Sequence, residues 1–300
     1  MLNMVKKYFF IITPLWLLVV IGLSSCNVFS PQVVVPCYGH IDSIAYSFNK
    51  VGYPAENSSY ADITDAWVYV DDNPIGAFEM PCTFPIIATN GTHQVKIFPG
   101  VKEGGVSSAR SVYTLYTYYT GYITLKQDSV VKMNMASVTY ASFYKFDWFE
   151  NFESITNTFR RVYSSNTVIQ TTSAKDSVFK GTYSGRVVLD SVNNEDVFIG
   201  RSDSATLPRD GVTAVWLEIN YNSNNMFQVG LLGQDTLNYI PIVFIYPTGG
   251  AWKKMYIPLE STIAPQGMYG EPYSIYFRMD RAPGNRAVLL LDNIKLVQGH

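Results

Sequence analysis

Short runs in which apolar residues alternate with polar or small ones, cut at close intervals by Gly, Pro and Asn, leave this chain little choice but β-sheet. Ile44, Tyr46 and Phe48 alternate in one such run, Val95 and Ile97 in a second, and Val131, Met133 and Met135 in a third. Strand-favouring residues abound, with 22 Tyr and 17 Phe among 300 residues, and no long stretch repeats with the helical period. The expected fold class is therefore all-β. The formal net charge is -2, and no block of Lys or Arg follows Lys7, which argues against a nucleic-acid partner.

The first residues read differently. Lys6 and Lys7 precede an apolar run, Tyr8 to Leu23, that is short for a membrane span and interrupted by Pro14; Leu23-Ser24-Ser25-Cys26 follows. This tetrad resembles the lipobox of bacterial lipoproteins. The resemblance implies a signal peptide over 1–25, cleavage before Cys26, a diacylglycerol on its thiol and an acylated amine. Acyl chains anchor without a spanning helix, each buried methylene contributing roughly 0.8 kcal/mol. Loss of Lys6 and Lys7 would leave 20 basic against 24 acidic side chains. Asn27 stands where some bacteria use Asp as an inner-membrane retention signal, so the expectation is a lipid-anchored envelope protein at the outer membrane, with the face open. In that compartment disulfides persist, which favours a Cys37–Cys82 bridge over two buried thiols.

After a tether over 26–32, residues 33–140 hold about seven strand-like runs, the size and punctuation of an immunoglobulin-like sandwich. Asp65 to Val70 and Ala77 to Met80 flank a Pro74/Gly76 turn, Asn90-Gly91 marks another turn, and Arg110 to Leu125 contains five tyrosines. Ala66-Trp67-Val68-Tyr69-Val70 through Gly76, then Pro81 to Pro85, then Gly91-Thr92-His93-Gln94-Val95 resemble PEGA-type surface modules. Such modules are spacers or scaffolds and bring no catalytic residue.

Residues 141–300 have another texture. Phe146 to Glu153, Tyr183-Ser184-Gly185 to Leu189, Trp252 to Leu259 through Ile257-Pro258, and Leu291-Asp292-Asn293-Ile294 follow one another in an order that resembles galactose-binding-domain-like jelly rolls, which include many carbohydrate-binding modules. The resemblance implies a structural calcium held by Glu153 and Asp292, with Glu150 a possible substitute, against the plainer reading that Asp292 serves a strand-edge amide and Glu153 is solvated. It also implies sugar stacking on aromatic rings. Candidates are Tyr221, Trp252, Tyr269 and Tyr273, with Asn220, Asn222, Asn224, Asn225 and Arg278 as polar partners. Trp216 and Trp252 occupy strand positions that favour the core, whereas Tyr221 and Tyr269 lie beside turn residues.

Catalysis has little to draw on. The three histidines, His40, His93 and His300, lack an evident partner in the sequence, and phosphate-loop, Cys-x-x-Cys and His-Glu-x-x-His motifs are missing. Asp followed by Ser or Thr and an apolar residue recurs at Asp42, Asp128, Asp176, Asp190, Asp203 and Asp235. The triplet resembles an O-glycosylation sequon of envelope proteins, with glycan on Ser43, Ser129, Ser177, Ser191, Ser204 or Thr236; turn chemistry ahead of a strand is the alternative. The expectation is a non-catalytic, lipid-anchored protein of two β-sandwiches whose jelly roll binds a glycan or a surface protein. A structural or assembly subunit of an outer-membrane complex is the alternative.

Overall fold

The computed structural model describes residues 35–48, 60–193, 195–234, 238–264 and 272–299. The leader with Cys26, Tyr269, Thr236 and His300 lie outside them. Among the described residues nearly all regular structure is strand, with one helical turn at Glu260–Ile263, so the all-β expectation holds. In the N-terminal part run β1 (Cys37–Ile41), β2 (Asp65–Val70), β3 (Asn73–Glu79), β4 (Cys82–Ile86), β5 (Gly91–Lys102), β6 (Arg110–Val112), β7 (Tyr119–Leu125) and β8 (Val130–Lys132). Strands β4-β1-β8 form one sheet; β3-β2-β5-β6, with β7 also on β5, form the other.

Local chemistry explains the β2–β3 hairpin. The turn is Asp71-Asp72, with φ of 49° and 63°, while Pro74 and Gly76 fall inside β3. Two left-handed residues match the twist of a tight hairpin, and Asp tolerates that conformation better than most residues. Asp71 secures the turn by accepting from the Gln94 amide at 3.0 Å and pairing with His93 at 2.6 Å.

Cys37 and Cys82 do not form a bridge; both are free thiols. Strand β1 pairs antiparallel with β4, so Cys37 faces Ile86 and Cys82 faces Ile41. The two lie at opposite ends of one ladder, roughly 13 Å apart at about 3.3 Å per residue, well beyond disulfide reach. Cys37 is buried, donates to the Ile86 carbonyl at 3.3 Å, and has its thiol pushed up by burial.

The C-terminal part comprises β9 (Tyr144–Glu150), β10 (Arg160–Arg161), β11 (Gln170–Thr172), β12 (Ser184–Leu189), β13 (Val197–Arg201), β14 (Val215–Ser223), β15 (Phe227–Leu232), β16 (Tyr239–Ile245), β17 (Lys253–Pro258), β18 (Ser274–Asp280) and β19 (Ala287–Gly299). One sheet has the order β10-β13-β18-β15-β16; the other is β11-β12-β19-β14-β17, with β9 on β19. Leu217, Ile219, Phe277, Met279, Leu289 and Leu291 meet between them. The second sheet is buried on its other face as well. There Trp216, Tyr256 and Val297 join the core of the N-terminal sheets, against Tyr113, Tyr116, Tyr140 and Phe146. Burial on both faces is why β19 reads as a nearly unbroken apolar run rather than an alternating one.

A polar cluster sits in the middle of that second face. Glu218 on β14 accepts from the Tyr113 hydroxyl at 2.6 Å and from the Tyr140 hydroxyl, and pairs with Lys254 Nζ at 2.5 Å. Lys295 Nζ lies 3.7 Å from the same carboxylate, and the Glu218, Lys254 and Lys295 side chains are 0% exposed. Burial alone would raise the Glu218 carboxyl, but the charges of Lys254 and Lys295, helped by hydrogen bonds from Lys254 and Tyr113, hold it at about 2.

Glu218→Gln strands two buried cations and is expected to destabilise the chain by roughly 3–5 kcal/mol in chemical denaturation. A carboxylate depressed from its unfolded value near 4.3 contributes stability that is present above that value and lost as pH falls through about 2. The parent protein should therefore lose stability between about pH 4.3 and 2 more steeply than Glu218→Gln. Cys37 and Cys82 should both alkylate in denaturant without reductant.

Candidate functional site

The outer face of the β10-β13-β18-β15-β16 sheet carries the row of side chains best placed to meet a ligand. Phe227, Val229 and Leu231 of β15 and Ile275, Phe277 and Met279 of β18 point into the core. Alternation sends their neighbours outward, and the register aligns Phe244, Gln228 and Arg278 across β16, β15 and β18. Arg278 grips Asp280 through Nε at 2.7 Å and Nη2 at 2.8 Å, a planar two-point pair. Gln228, which lines the cleft, accepts from the Tyr276 hydroxyl through Oε1 at 2.9 Å. Asn225, Met226 and Phe244, the last 54% exposed, complete a cleft of about 450 Å³.

Phe244 also lines a second cleft, of about 430 Å³, that runs to the N-terminal sheets. Beside the buried Tyr221 and Tyr256, its more accessible aromatic side chains are Tyr246, 73% exposed, Trp252 and Tyr60. Trp252 packs on Phe179 at 5.2 Å between centroids, and Phe179 on Tyr60 at 5.6 Å, so the rings are braced. Asp62, Lys102 and Lys253 supply charge. Burial pushes the Asp62 carboxyl up, against the pull of Lys102 and Lys254. Gly104 and Gly105, with φ of 57° and 73°, turn the loop beside this cleft, and the Gly104 amide donates to the Tyr256 carbonyl at 2.8 Å. Flat apolar rings next to charged and amide groups suit a ligand with a hydroxyl edge and a C–H face.

Of the residues expected from sequence, Arg278 and Asn225 line the first cleft, and Trp252 and the edge of Tyr221 line the second. Tyr221 does not serve as an exposed platform. It is 4% exposed and packs in the core on Phe227, because β14 continues to Ser223 and the turn begins beyond it. Tyr273 is fully buried beneath the Arg209 guanidinium. Asn220 is buried too, while Asn222 and Asn224 tie loops by donating to the Gly250 and Arg286 carbonyls at 2.9 and 3.1 Å. Phe244, Tyr246, Tyr60, Asp62 and Gln228 escaped sequence reasoning. The run Ile242-Val243-Phe244-Ile245-Tyr246 is apolar throughout and conceals which members face out.

At the opposite sheet, Asp292 accepts from the Ser184 hydroxyl at 2.6 Å and the Asn293 amide at 2.7 Å. Burial drives its carboxyl up to about 7, and the charge of Glu153 adds to the rise. Glu153 accepts from the Thr182 and Tyr183 amides at 2.9 and 3.1 Å. Gly185 is needed here, since a Cβ would sit 2.3 Å from the Phe152 ring. Glu150, the possible substitute, accepts from the Phe152 amide through one oxygen and from Thr158 through the other. Among the described residues no three of His, Cys, Asp and Glu gather as a metal group. Asp292 and Glu153 fit calcium only as a carboxylate pair completed by other hard oxygens.

Both described histidines have carboxylate partners after all. His40 pairs with Asp42 at 3.0 Å and Thr83 Oγ1 at 2.8 Å, and His93 with Asp71 at 2.6 Å and the Thr89 carbonyl at 2.9 Å. Neither lines the clefts above. Of the hydroxyls in Asp-Ser/Thr triplets, Ser43, Ser191 and Ser204 are exposed, and Ser129 donates to the Lys126 carbonyl at 2.6 Å. Ser177 is buried, which leaves no room for a glycan there.

No family model matches the chain, and no curated protein does. Solved structures similar to it include carbohydrate-binding modules of the β-sandwich superfamily, 16% identical, covering 77% of this chain and 84% of that one at a TM-score of 0.38. The family 11 module of the cellulosomal cellulase Lic26A-Cel5E of Clostridium thermocellum is 18% identical, covering 52% of this chain and 95% of that one at 0.33. The module TmCBM61, solved in complex with β-1,4-galactotriose, is 14% identical, covering 46% and 86% at 0.31. No residue role passes across these likenesses.

Removing a platform ring and a core ring should differ. Phe244→Ala is expected to change unfolding free energy by no more than about 0.5 kcal/mol, whereas Tyr221→Ala should cost about 3–5 kcal/mol. Denaturant titration of both variants checks the assignment.

Proposed function

We propose that this chain is a non-catalytic, lipid-anchored envelope protein that binds a glycan along the two clefts joined at Phe244. The observation that carries the reading is that shared ring. It stands between an arginine–aspartate pair on one side and a Tyr246/Trp252/Tyr60 group with Asp62 and Lys253 on the other. Rings take the apolar faces of successive sugars, and Arg278, Asp280, Gln228 and Asp62 take hydroxyls. The Leu23-Ser24-Ser25-Cys26 tetrad supports attachment through Cys26, with Asn27 favouring the outer membrane. Calcium, bound by Asp292 and Glu153, would brace the corner between β9 and β19.

A glycan array and insoluble polysaccharides, probed with the purified chain, test the binding. Phe244→Ala and Arg278→Ala should each weaken retention about tenfold, the effect of roughly 1.4 kcal/mol. Retention unaltered by both would refute the cleft; silence of the parent protein on every glycan would assign the clefts to a protein partner, as in a structural subunit of a membrane complex. For the metal, the melting midpoint should rise in calcium relative to EGTA, and Asp292→Asn should abolish the difference; equal midpoints would remove calcium. Cys26→Ser should move the protein from the membrane to the soluble fraction.

A further inference from the structure

The N-terminal sheets hold a pocket that the function above does not use. It has a volume of about 730 Å³ and opens between the outer face of β2 and β5 and the 112–118 segment. Phe98 and Tyr118 stack with centroids 4.4 Å apart and planes 25° apart, and Tyr69 meets Phe98 edge-on at 5.5 Å. Tyr118 is 50% exposed and Phe143, on the far wall, 48%. Tyr113 and Tyr116 form the floor and show the pocket only their rings. Their hydroxyls are engaged behind, with Glu218 at 2.6 Å and with the Tyr256 hydroxyl at 3.2 Å.

The rim is polar. Lys96 and Asp72 pair there at 2.5 Å, and the exposed Thr114 adds a hydroxyl. An exposed ring beside a surface ion pair is a combination the pocket shares with Phe244 beside Arg278–Asp280. An acyl chain has no use for a charged rim; a pyranose presents one apolar face to rings and a belt of hydroxyls that both donate and accept. We infer that this pocket is a second glycan site, taking one pyranose against the exposed face of Tyr118, which Phe98 backs, with its hydroxyls on Lys96, Asp72 and Thr114, and that the chain is bivalent. The inference rests on the glycan reading of the first clefts. Two sites on one chain raise avidity for a polymer without any new contact.

Saturation-transfer NMR on the full chain tests it, with methyl β-D-glucopyranoside, methyl β-D-galactopyranoside and cyclohexanol as probes. The proteins are the parent, Phe244→Ala, Phe244→Ala with Tyr118→Ala, and Phe244→Ala with Asp72→Asn. The expected result is that Phe244→Ala keeps part of the glycoside signal, that adding Tyr118→Ala removes it, and that adding Asp72→Asn weakens the remaining affinity about tenfold. If Phe244→Ala alone abolishes the signal, or if neither second substitution changes what remains, the second site is overturned and the first cleft stands. Silence of both glycosides with the parent protein overturns both sites. Saturation by cyclohexanol equal to that by the glycosides, unaffected by Asp72→Asn, makes the pocket merely apolar and overturns the glycan assignment.

Discussion

One carboxylate fixes how the two halves of this molecule meet. Glu218 sits on the central β14 strand of a sheet that already packs its other face, and it takes hydroxyls from Tyr113 and Tyr140 and the ammonium of Lys254, with Lys295 close by. Buried charge is poor glue in itself, because desolvation offsets most of the attraction. Its value lies in exclusivity. Slide the N-terminal sheets by one residue and Glu218 loses its hydroxyl donors while two lysines remain in the dark. The apolar contacts of Trp216, Tyr256 and Val297 supply stickiness, and the Glu218 cluster supplies the register.

The clefts inherit their geometry from that joint. Tyr60, Asp62, Lys102 and the Gly104-Gly105 loop come from the N-terminal part, whereas Phe244, Tyr246 and Trp252 come from the C-terminal part. Lys254 and Tyr256 contribute to the interface core and to the lining of this cleft, so side chains that set the joint also set the distance between the two walls. The same coupling reaches the N-terminal pocket, whose floor tyrosines bond to Glu218 and Tyr256.

Strand chemistry was legible wherever one face meets water. His93 to Phe98 and the β2–β3 hairpin follow their alternation, although Asp71-Asp72 makes the turn that Pro74 and Gly76 seemed to announce. Legibility failed where both faces are buried, since Leu289-Leu290-Leu291 and Val215 to Tyr221 lose the period that separates inside from outside. Tyr221 was misplaced for that reason, and Glu218, which alternation assigns to a polar face, proved to lie in an interface. Arg278 and Trp252 were found because charge and size mark them individually. Phe244 was not, since nothing in its apolar run distinguishes the ring that faces out. The Cys37–Cys82 pairing failed on register, a property of the partner strand that spacing along one chain does not contain.

The placement of β1 has a mechanical side. It lies between β4 and β8, antiparallel to one and parallel to the other. Tension along β1 would run across the perpendicular bonds of its ladder with β4 and obliquely to the slanted bonds of its ladder with β8. Such a pull shears the bonds on both flanks together instead of unzipping them one by one.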